Sequence, residues 1–303
     1  MHNNSRNSFV TIVGRPNVGK SSLLNALVGE KIAAVSSKPQ TTRTKITGVV
    51  TKDKTQYVFM DTPGMHKAKN KLSEHMIRAI NETAADVDVI MLVVDASKKP
   101  SDTEKQLVAN SGSKNAKKIL VINKIDLFDK KEDLISVITG YSSLARFDEV
   151  VPVSVKENDG LDIIMQILDK YAVEGPHYFP DDSITDQPEK VIMAEIIREK
   201  ALENLSEEIP HGIAVTIESL NERDSRNGEA ILDIEATLFC ERESHKRIVI
   251  GKGGAMLKKM GSEARADLEA FFMIKVNLNI WVKVKEGWRN REGMIKNFGL
   301  SEK

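Results

Sequence analysis

The sequence predicts an α/β protein in two parts: a mostly parallel, doubly wound sheet, then a smaller α+β domain. Three observations predict it. Up to about residue 173, short β-branched runs alternate with longer stretches of helical period, the pattern of strand–helix–strand crossovers. Residues 174–190, EGPHYFPDDSITDQPEK, hold three prolines and almost no periodicity, as linkers do. Beyond them the rhythm changes to alternating strands interleaved with two helical stretches.

The first part offers strands at Phe9–Val13, Ile46–Thr51, Gln56–Met60, Val87–Asp95, Ile119–Asn123 and Val150–Ser154. Several are near-continuous apolar runs, as expected of central strands covered on both faces. Leu72, Met76 and Ile80 share one helical face, as do Leu161, Ile164, Ile167 and Leu168. In the second part a helical stretch around Ile196–Leu205 precedes two alternating segments, Ile213/Val215/Ile217 and Leu232/Ile234/Ala236/Leu238. Asn227-Gly228 lies between them and suits a turn. A helical stripe of Leu257, Met260, Ala264 and Leu268 follows, then a strand alternating through Val276, Leu278, Ile280, Val282 and Val284. The expected division is 1–173 for the first domain, 174–197 for the linker, 198–285 for the second domain and 286–303 for a basic tail.

A length of 303 residues suits two domains of ordinary size. The longest apolar run, Val89–Val94, is far short of the ~20 residues that span a bilayer. The start, MHNNSRNS, lacks the apolar core of a secretory signal, which points to the cytoplasm. A single cysteine, Cys240, excludes a disulfide framework or a multi-cysteine zinc site, and its place on an apolar strand face marks it as core. The six histidines form no ligand-spaced cluster. Trp281 and Trp288 flank a basic stretch and suit core or RNA contact equally. Net charge is zero, yet residues 201–240 carry nine acids against two bases, and residues 241–303 fourteen bases against eight acids. A basic end on a neutral chain suits a polyanion met by one face.

GRPNVGKS, Gly14–Ser21 (Gly14, Arg15, Pro16, Asn17, Val18, Gly19, Lys20, Ser21), fits G-x-x-x-x-G-K-S/T directly after a strand. A glycine-rich turn lets successive backbone N–H groups face a triphosphate, and the following helix N-terminus adds its dipole. Lys20 would reach the β- and γ-phosphates and Ser21 would ligate magnesium. NKID, Asn123–Asp126, ends a later strand. The Asp126 carboxylate can accept two hydrogen bonds from guanine N1–H and its amine, a donor pair adenine lacks. The Lys124 stem would lie along the base, and Asn123 would tie this loop to the phosphate loop. DTPG, Asp61–Gly64 (Asp61, Thr62, Pro63, Gly64), also ends a strand. Asp61 can hold a magnesium-bound water, and the Gly64 N–H can meet the γ-phosphate. QTTRT, Gln40–Thr44 (Gln40, Thr41, Thr42, Arg43, Thr44), precedes the second strand and can complete the magnesium shell. In the second domain, Gly251-Lys252-Gly253-Gly254 fits a G-x-x-G loop that clamps about four nucleotides of single-stranded RNA, with Lys258 and Lys259 adding charge. Periodicity alone would make residues 247–250 a strand.

In this order the motifs resemble the translation-factor-related GTPases. The form GRPNVGKS, the doubled threonine and DTPG narrow this to the bacterial Era and TrmE-like group. With the G-x-x-G loop and the helix–strand–strand–helix–helix–strand order around it, nearly the whole chain resembles the Era family. That resemblance implies a P-loop NTPase G domain followed by a type II KH domain, with a short helical turn before the G-x-x-G loop. It selects Thr42 over Thr41 for magnesium. The family's fifth motif, Ser-Ala-Lys, reads Ser154-Val155-Lys156 here. The backbone contact of Ser154 to guanine O6 is expected to survive, and Val155 puts a bulkier side chain than the family's alanine at the base pocket. Met65 stands where Ras-like proteins place a water-orienting glutamine, so unaided hydrolysis of GTP to GDP is expected to be slow. In this group an asparagine at the Asn17 position accompanies a potassium ion beside the phosphates, supplying the charge of an arginine finger; Arg43 is the other candidate for that charge. The resemblance also implies binding to 16S rRNA near its 3′ end, a switch role in 30S subunit assembly, and loose association with the inner membrane face. The chain is expected to act as a monomer. The competing readings are a membrane-docked signalling GTPase without an RNA role and a P-loop kinase, against which NKID argues.

Overall fold

The computed structural model describes residues 5–38, 41–61, 63, 71, 87–110, 116–128, 131–143, 145–207, 209–225 and 227–300. They fall into two compact units. One gathers the described residues of 1–32, 42–68 and 76–186, the other those of 33–41, 69–75 and 187–303.

The first unit is built on strands β1 (Arg6–Val13), β2 (Ile46–Lys52), β3 (Thr55–Asp61), β4 (Val89–Asp95), β5 (Lys117–Asn123) and β6 (Glu149–Val153), in the order β2-β3-β1-β4-β5-β6. β1 pairs in parallel with β3 and β4, and β4–β5 and β5–β6 are parallel. β2 runs antiparallel to β3. A two-residue strand β7 (Val173–Glu174) pairs antiparallel with the start of β1. Every residue of β4 is buried, which explains why its sequence shows no alternation. Helices α1 (Lys20–Val28), α2 (Asp102–Asn110), α3 (Lys131–Ser142) and α4 (Leu161–Tyr171) complete the described part. α1 buries Leu23, Leu24 and Leu27. It crosses β2 so closely that a Cβ on Gly48 would come within 2.7 Å of Leu24 and Val28 side-chain atoms. Leu92, Val94, Leu120, Ile122, Leu107 and Tyr141 share one core cluster. Leu72, Met76 and Ile80 lie outside the described residues. The carboxyl ends of β1, β3, β5 and β6 carry the loops the sequence singles out, the edge where open parallel sheets hold ligands.

Residues 175–186 run back along this unit. Gln56, fully buried, donates from Nε2 to the Phe179 carbonyl oxygen at 2.9 Å and accepts the Tyr178 and Phe179 N–H groups at 2.7 and 3.0 Å. Asn7 Nδ2 donates to the Pro176 carbonyl oxygen, and Thr185 Oγ1 to that of Thr47.

In the second unit α5 (Glu189–Asn204) packs with a three-stranded sheet of β8 (Ala214–Asp224), β9 (Ala230–Cys240) and β10 (Lys275–Val284), ordered β10-β9-β8. β8–β9 is antiparallel and β9–β10 parallel. Between β9 and β10 run α6 (Glu243–Ile250) and α7 (Ala255–Phe272). α5 supplies Ile192, Met193, Ile196 and Ile197 to the core, and α7 supplies Met260, Ala264 and Leu268. Residues 247–250 are helical: of them only Val249 is fully buried, which one helical face supplies without a strand. Residues 286–300 fold as well, with α8 at Glu292–Asn297. Trp288 is fully buried, donates Nε1–H to the Gly212 carbonyl oxygen at 2.8 Å and packs edge-on against Phe298. Trp281 stands exposed on β10, and Cys240 is buried. Among the described residues no helix is long and apolar enough to cross a membrane.

Candidate nucleotide site and nucleic-acid interface

β1 ends at Val13 and α1 begins at Lys20, so Gly14–Gly19 form the turn between them. A Cβ on Gly14 would lie 2.4 Å from the Val93 carbonyl oxygen, and one on Gly19 2.2 Å from the Asn123 side-chain nitrogen. The φ of 101° at Gly19 disfavours other residues further. Val18 is buried, Arg15 and Pro16 half-buried, and Asn17 exposed. Arg15 is fixed by an ion pair from Nε to the fully buried Glu104 at 2.7 Å. Lys20 is buried at the start of α1, and its Nζ folds back to donate to the Arg15 carbonyl oxygen at 3.1 Å. Burial pushes the Lys20 pKa down, and the Asp61 charge works against that shift.

Ser21, Thr42 and Asp61 converge. Ser21 Oγ lies 2.6 Å from Asp61 Oδ2 and 2.7 Å from Thr42 Oγ1, which is itself 3.4 Å from the same carboxylate oxygen. Thr41 turns elsewhere, its hydroxyl donating to the Lys38 carbonyl oxygen at 2.7 Å. Asp61 is fully buried, and its Oδ1 has no hydrogen-bond partner among the described residues. Burial raises its pKa, while Lys20 and the hydroxyls of Ser21 and Thr42 oppose the rise. Two hydroxyls and a buried carboxylate with one unmatched oxygen are the donor set a hard dication takes, so these residues fit magnesium. Arg43 is buried and Thr44 half-buried. Pro63 is described and buried; Gln40, Thr62, Gly64 and Met65 lie outside the described residues.

The base-side loops are joined by Asn123. Its Nδ2 donates to the Val18 carbonyl oxygen at 2.9 Å, and its Oδ1 accepts the Lys124 and Val155 N–H groups at 2.8 and 3.2 Å. Lys124 takes a left-handed φ of 68° and reaches back, Nζ donating to the Asn17 carbonyl oxygen at 2.9 Å and to Asp95 Oδ2 at 2.6 Å. Asp126 is exposed, and its Oδ1 accepts the Ser154 hydroxyl at 2.7 Å. That contact pre-orients the carboxylate from the loop after β6. Sequence reading misses Asp95, Glu104 and the Ser154 hydroxyl. Asp95 could have been found as an acid closing an apolar strand. Burial disfavours its charge, but hydrogen bonds from Lys124 and Ser97 prevail and hold its pKa below the usual range.

In the second unit Gly251–Gly254 link α6 to α7. Gly251, Gly253 and Gly254 have φ of 76°, 59° and 80°. A Cβ on Gly251 would strike Met256, whereas at Gly253 and Gly254 it would meet nothing within 4 Å. Those two present open backbone at the α7 N-terminus, where phosphates can approach closely. Lys252, Lys258 and Lys259 are exposed. Beside the loop lies an open groove of about 360 Å³ between α7 and β10, lined among others by Lys258, Ser262, Arg265, Asn277 and Asn279. That Arg265 and the asparagines line this groove was not legible, because helix and strand periodicity report burial and not neighbours.

Comparison with known proteins bears on both sites. A family model for 50S ribosome-binding GTPases matches residues 9–124, and one for KH domains matches residues 208–289. GTPase Era of Clostridioides difficile (strain 630) is 49% identical over 298 residues, covering 98% of this chain and 99% of its own. The chain belongs to the GTPase Era family. GTPase Era of Ruminiclostridium cellulolyticum is 45% identical over 294 residues, 97% of either chain. A crystal structure of a variant of Aquifex aeolicus Era bound to GDP and AlF4− superposes with a TM-score of 0.92 at 35% identity, covering 98% of this chain and 100% of that one. A structure of Era in complex with MgGDPNP and nucleotides 1506–1542 of 16S ribosomal RNA matches with the same score, identity and coverage. The architecture is thus that of Era, a G domain with a mostly parallel sheet and then a KH domain, as the sequence predicts.

Proposed function

We propose that this chain hydrolyses GTP to GDP and phosphate, and uses the nucleotide to govern its grip on 16S rRNA near the 3′ end during 30S subunit assembly. The observation that carries the reading is the convergence of Ser21, Thr42 and Asp61 within 2.6–3.4 Å beside a phosphate loop. Backbone N–H groups of the Gly14–Lys20 turn, Pro16 apart, cradle the phosphates and the Lys20 ammonium neutralises them. Ser21 and Thr42 hold magnesium directly and Asp61 holds it through a water; when bound, the ion neutralises charge between the β- and γ-phosphates. Asp126 reads the guanine N1–H and amine, and Lys124 covers the base; the backbone contact to O6 expected of Ser154 is not free, its N–H being bonded to the Asp159 carbonyl oxygen at 3.1 Å and that of Val155 to Asn123 Oδ1 at 3.2 Å. Because Thr42 needs the γ-phosphate side of the site complete, GTP orders segments 40–44 and 61–65 and hydrolysis releases them. Met65 lacks an amide to orient water, so turnover is slow. Asn17 would hold a potassium ion beside the phosphates, and the ion would supply positive charge there.

The Gly251–Gly254 loop, Lys258 and Lys259 clamp single-stranded RNA. The solved complex of Era with MgGDPNP and the 16S rRNA segment, at 35% identity over nearly the whole chain, supports the same partner here. We place the protein in the cytoplasm as a monomer, with loose contact to the inner membrane face. The test measures phosphate release from GTP and ATP, and RNA binding with a non-hydrolysable GTP analogue against GDP. Guanine-selective release of free phosphate, with analogue-dependent binding to the 16S 3′ segment over an unrelated RNA, is expected. Phosphate delivered to a small acceptor, or binding to anionic vesicles but not to RNA, defeats the reading.

A further inference from the structure

Glu104 stands in the first turn of α2, and the proposed chemistry leaves it unused. Its Oε2 accepts the N–H of Ser101 at 2.8 Å and the Ser101 hydroxyl, as the acid of a capping box does. A glutamine serves that role as well, and an acid in it ordinarily stands at the surface. Here the side chain is fully buried, and its other oxygen, Oε1, faces Arg15 Nε at 2.7 Å. Burying a carboxylate is costly unless it is paired. The cap does not need the charge, so what the charge does, it does for Arg15.

The backbone of Arg15 meets the phosphate chemistry. Its carbonyl oxygen accepts Lys20 Nζ at 3.1 Å. The next residue is Pro16, so this peptide group has no N–H to offer a phosphate, and its one hydrogen-bonding atom is that carbonyl oxygen. Directed at Lys20, it takes one of the ammonium's three donors and leaves two for phosphate. Turned toward the phosphates, it would set a partial negative charge against them. Both the carbonyl and the anchored side chain leave from Arg15 Cα, so holding one restrains the other.

We propose that Glu104 is a positioning residue for phosphate binding: by holding the Arg15 side chain, it keeps the Arg15 carbonyl oxygen on Lys20 and out of the phosphate cradle. An acid of α2 thereby acts on the nucleotide through two other residues. This rests on the reading of Gly14–Ser21 as a phosphate loop. The effect falls on the phosphates that Lys20 serves, and the base, bound by the loop after β5, is indifferent to it.

The test is the affinity of the full chain for GDP, read calorimetrically with saturating magnesium, and for GMP, read by competition against a fluorescent GDP. Arg15→Met removes the anchor and leaves Glu104 buried without its partner. Glu104→Gln keeps an oxygen for Ser101 but turns an amide N–H toward Arg15. The double variant removes the anchor and the buried charge together. Each of the three is expected to weaken GDP about tenfold, the scale of one lost hydrogen bond to a charged group. The double variant should lose no more than either single one, because one anchor can be lost only once. GMP, which has no β-phosphate for Lys20, should bind all three as it binds the unsubstituted chain. The melting temperature should take a different course, falling most in Arg15→Met and recovering in the double variant. That variant also decides the matter where a single one fails to fold. A merely structural role ties affinity to stability, so GDP affinity that recovers in the double variant overturns the proposal. An equal loss for GMP overturns it as well. If Lys20→Met also leaves GDP affinity unchanged, the reading of the phosphate loop beneath it falls.

Discussion

Asp126 offers a base one carboxylate edge, because Oδ1 is already engaged by the Ser154 hydroxyl at 2.7 Å. Asp126→Asn can keep that contact through its carbonyl oxygen, so the loop should hold its shape. It then presents an amide N–H to the guanine donors, and GTP affinity is expected to fall by roughly 2–3 kcal/mol. Xanthosine triphosphate, with a carbonyl at the amine position, should bind this variant better than GTP does; calorimetry with both nucleotides checks it. Asn17 carries the second expectation at this scale. Asn17 is exposed at the phosphate loop, where its neutral side-chain oxygen suits a large, weakly hydrated cation. Single-turnover hydrolysis should be faster in potassium than in sodium at equal ionic strength, and Asn17→Ala should abolish the difference. A fixed charge of this kind is worth ~2.7–4 kcal/mol in a closed site, and less where solvent reaches. Equal rates in the two salts would return attention to Arg43. The motif residues were legible because phosphate, magnesium and guanine each demand a fixed residue type at a fixed spacing. Asp95 and Glu104 were not, because an acid that anchors a functional lysine or arginine obeys no spacing; only the folded chain brings Asp95 to Lys124.

Among the elements, the strands of the first unit were legible to within a few residues, since a buried parallel strand cannot avoid an apolar run. Residues 247–250 show the limit: four residues of mixed character fit strand or helix equally, and the i→i−4 hydrogen bond from Gly251 N–H to the Arg247 carbonyl oxygen places them in α6. Residues 175–186 were legible only as irregular. Proline spacing says that they form neither helix nor strand, and nothing in it reveals that Gln56 saturates the Tyr178 and Phe179 backbone. Within this segment His177 faces Asp181 at 2.6 Å through Nδ1 and the Lys54 carbonyl oxygen at 3.2 Å through Nε2. The Asp181 hydrogen bond raises its pKa above 6.5, against a smaller opposing effect of burial, and the Lys54 carbonyl adds to the rise. Only imidazolium donates to both partners. Its contribution is therefore complete below the unfolded value and lost as pH rises through the higher folded one. Amide exchange at Tyr178 and Phe179, corrected for intrinsic rates, should lose protection over that window. In His177→Gln, which has no charge to lose, the same protection should be independent of pH; a pH-dependent loss in that variant would remove His177 as the cause.

For the whole molecule, the composition foretold two cores and the structure supplies them, but zero net charge concealed where the bases lie. Three of them, Lys252, Lys258 and Arg265, stand at one loop and its adjoining groove, while acids such as Asp233 are engaged by Arg223 and Asn277 on the strands. These bases face one loop and groove, and Gly253→Asp tests whether that loop is the RNA site. Gly253 has a φ of 59°, a conformation aspartate tolerates better than most residues. A Cβ there meets nothing within 4 Å, so the loop and both cores should survive the change. What the substitution adds is a side chain and a negative charge where the sugar-phosphate backbone must pass. RNA affinity is expected to collapse by more than tenfold, while unstimulated GTP hydrolysis and the melting temperature stay within error of the unsubstituted chain. Lys258→Ala should act differently: it should weaken RNA modestly and reduce the slope of log affinity against log salt by about 0.7, the loss of one phosphate contact on a single strand. Filter binding across a salt series reads both. A folded Gly253→Asp protein with undiminished RNA affinity would show that the polyanion is met elsewhere, and would detach the G-x-x-G loop from the proposed function.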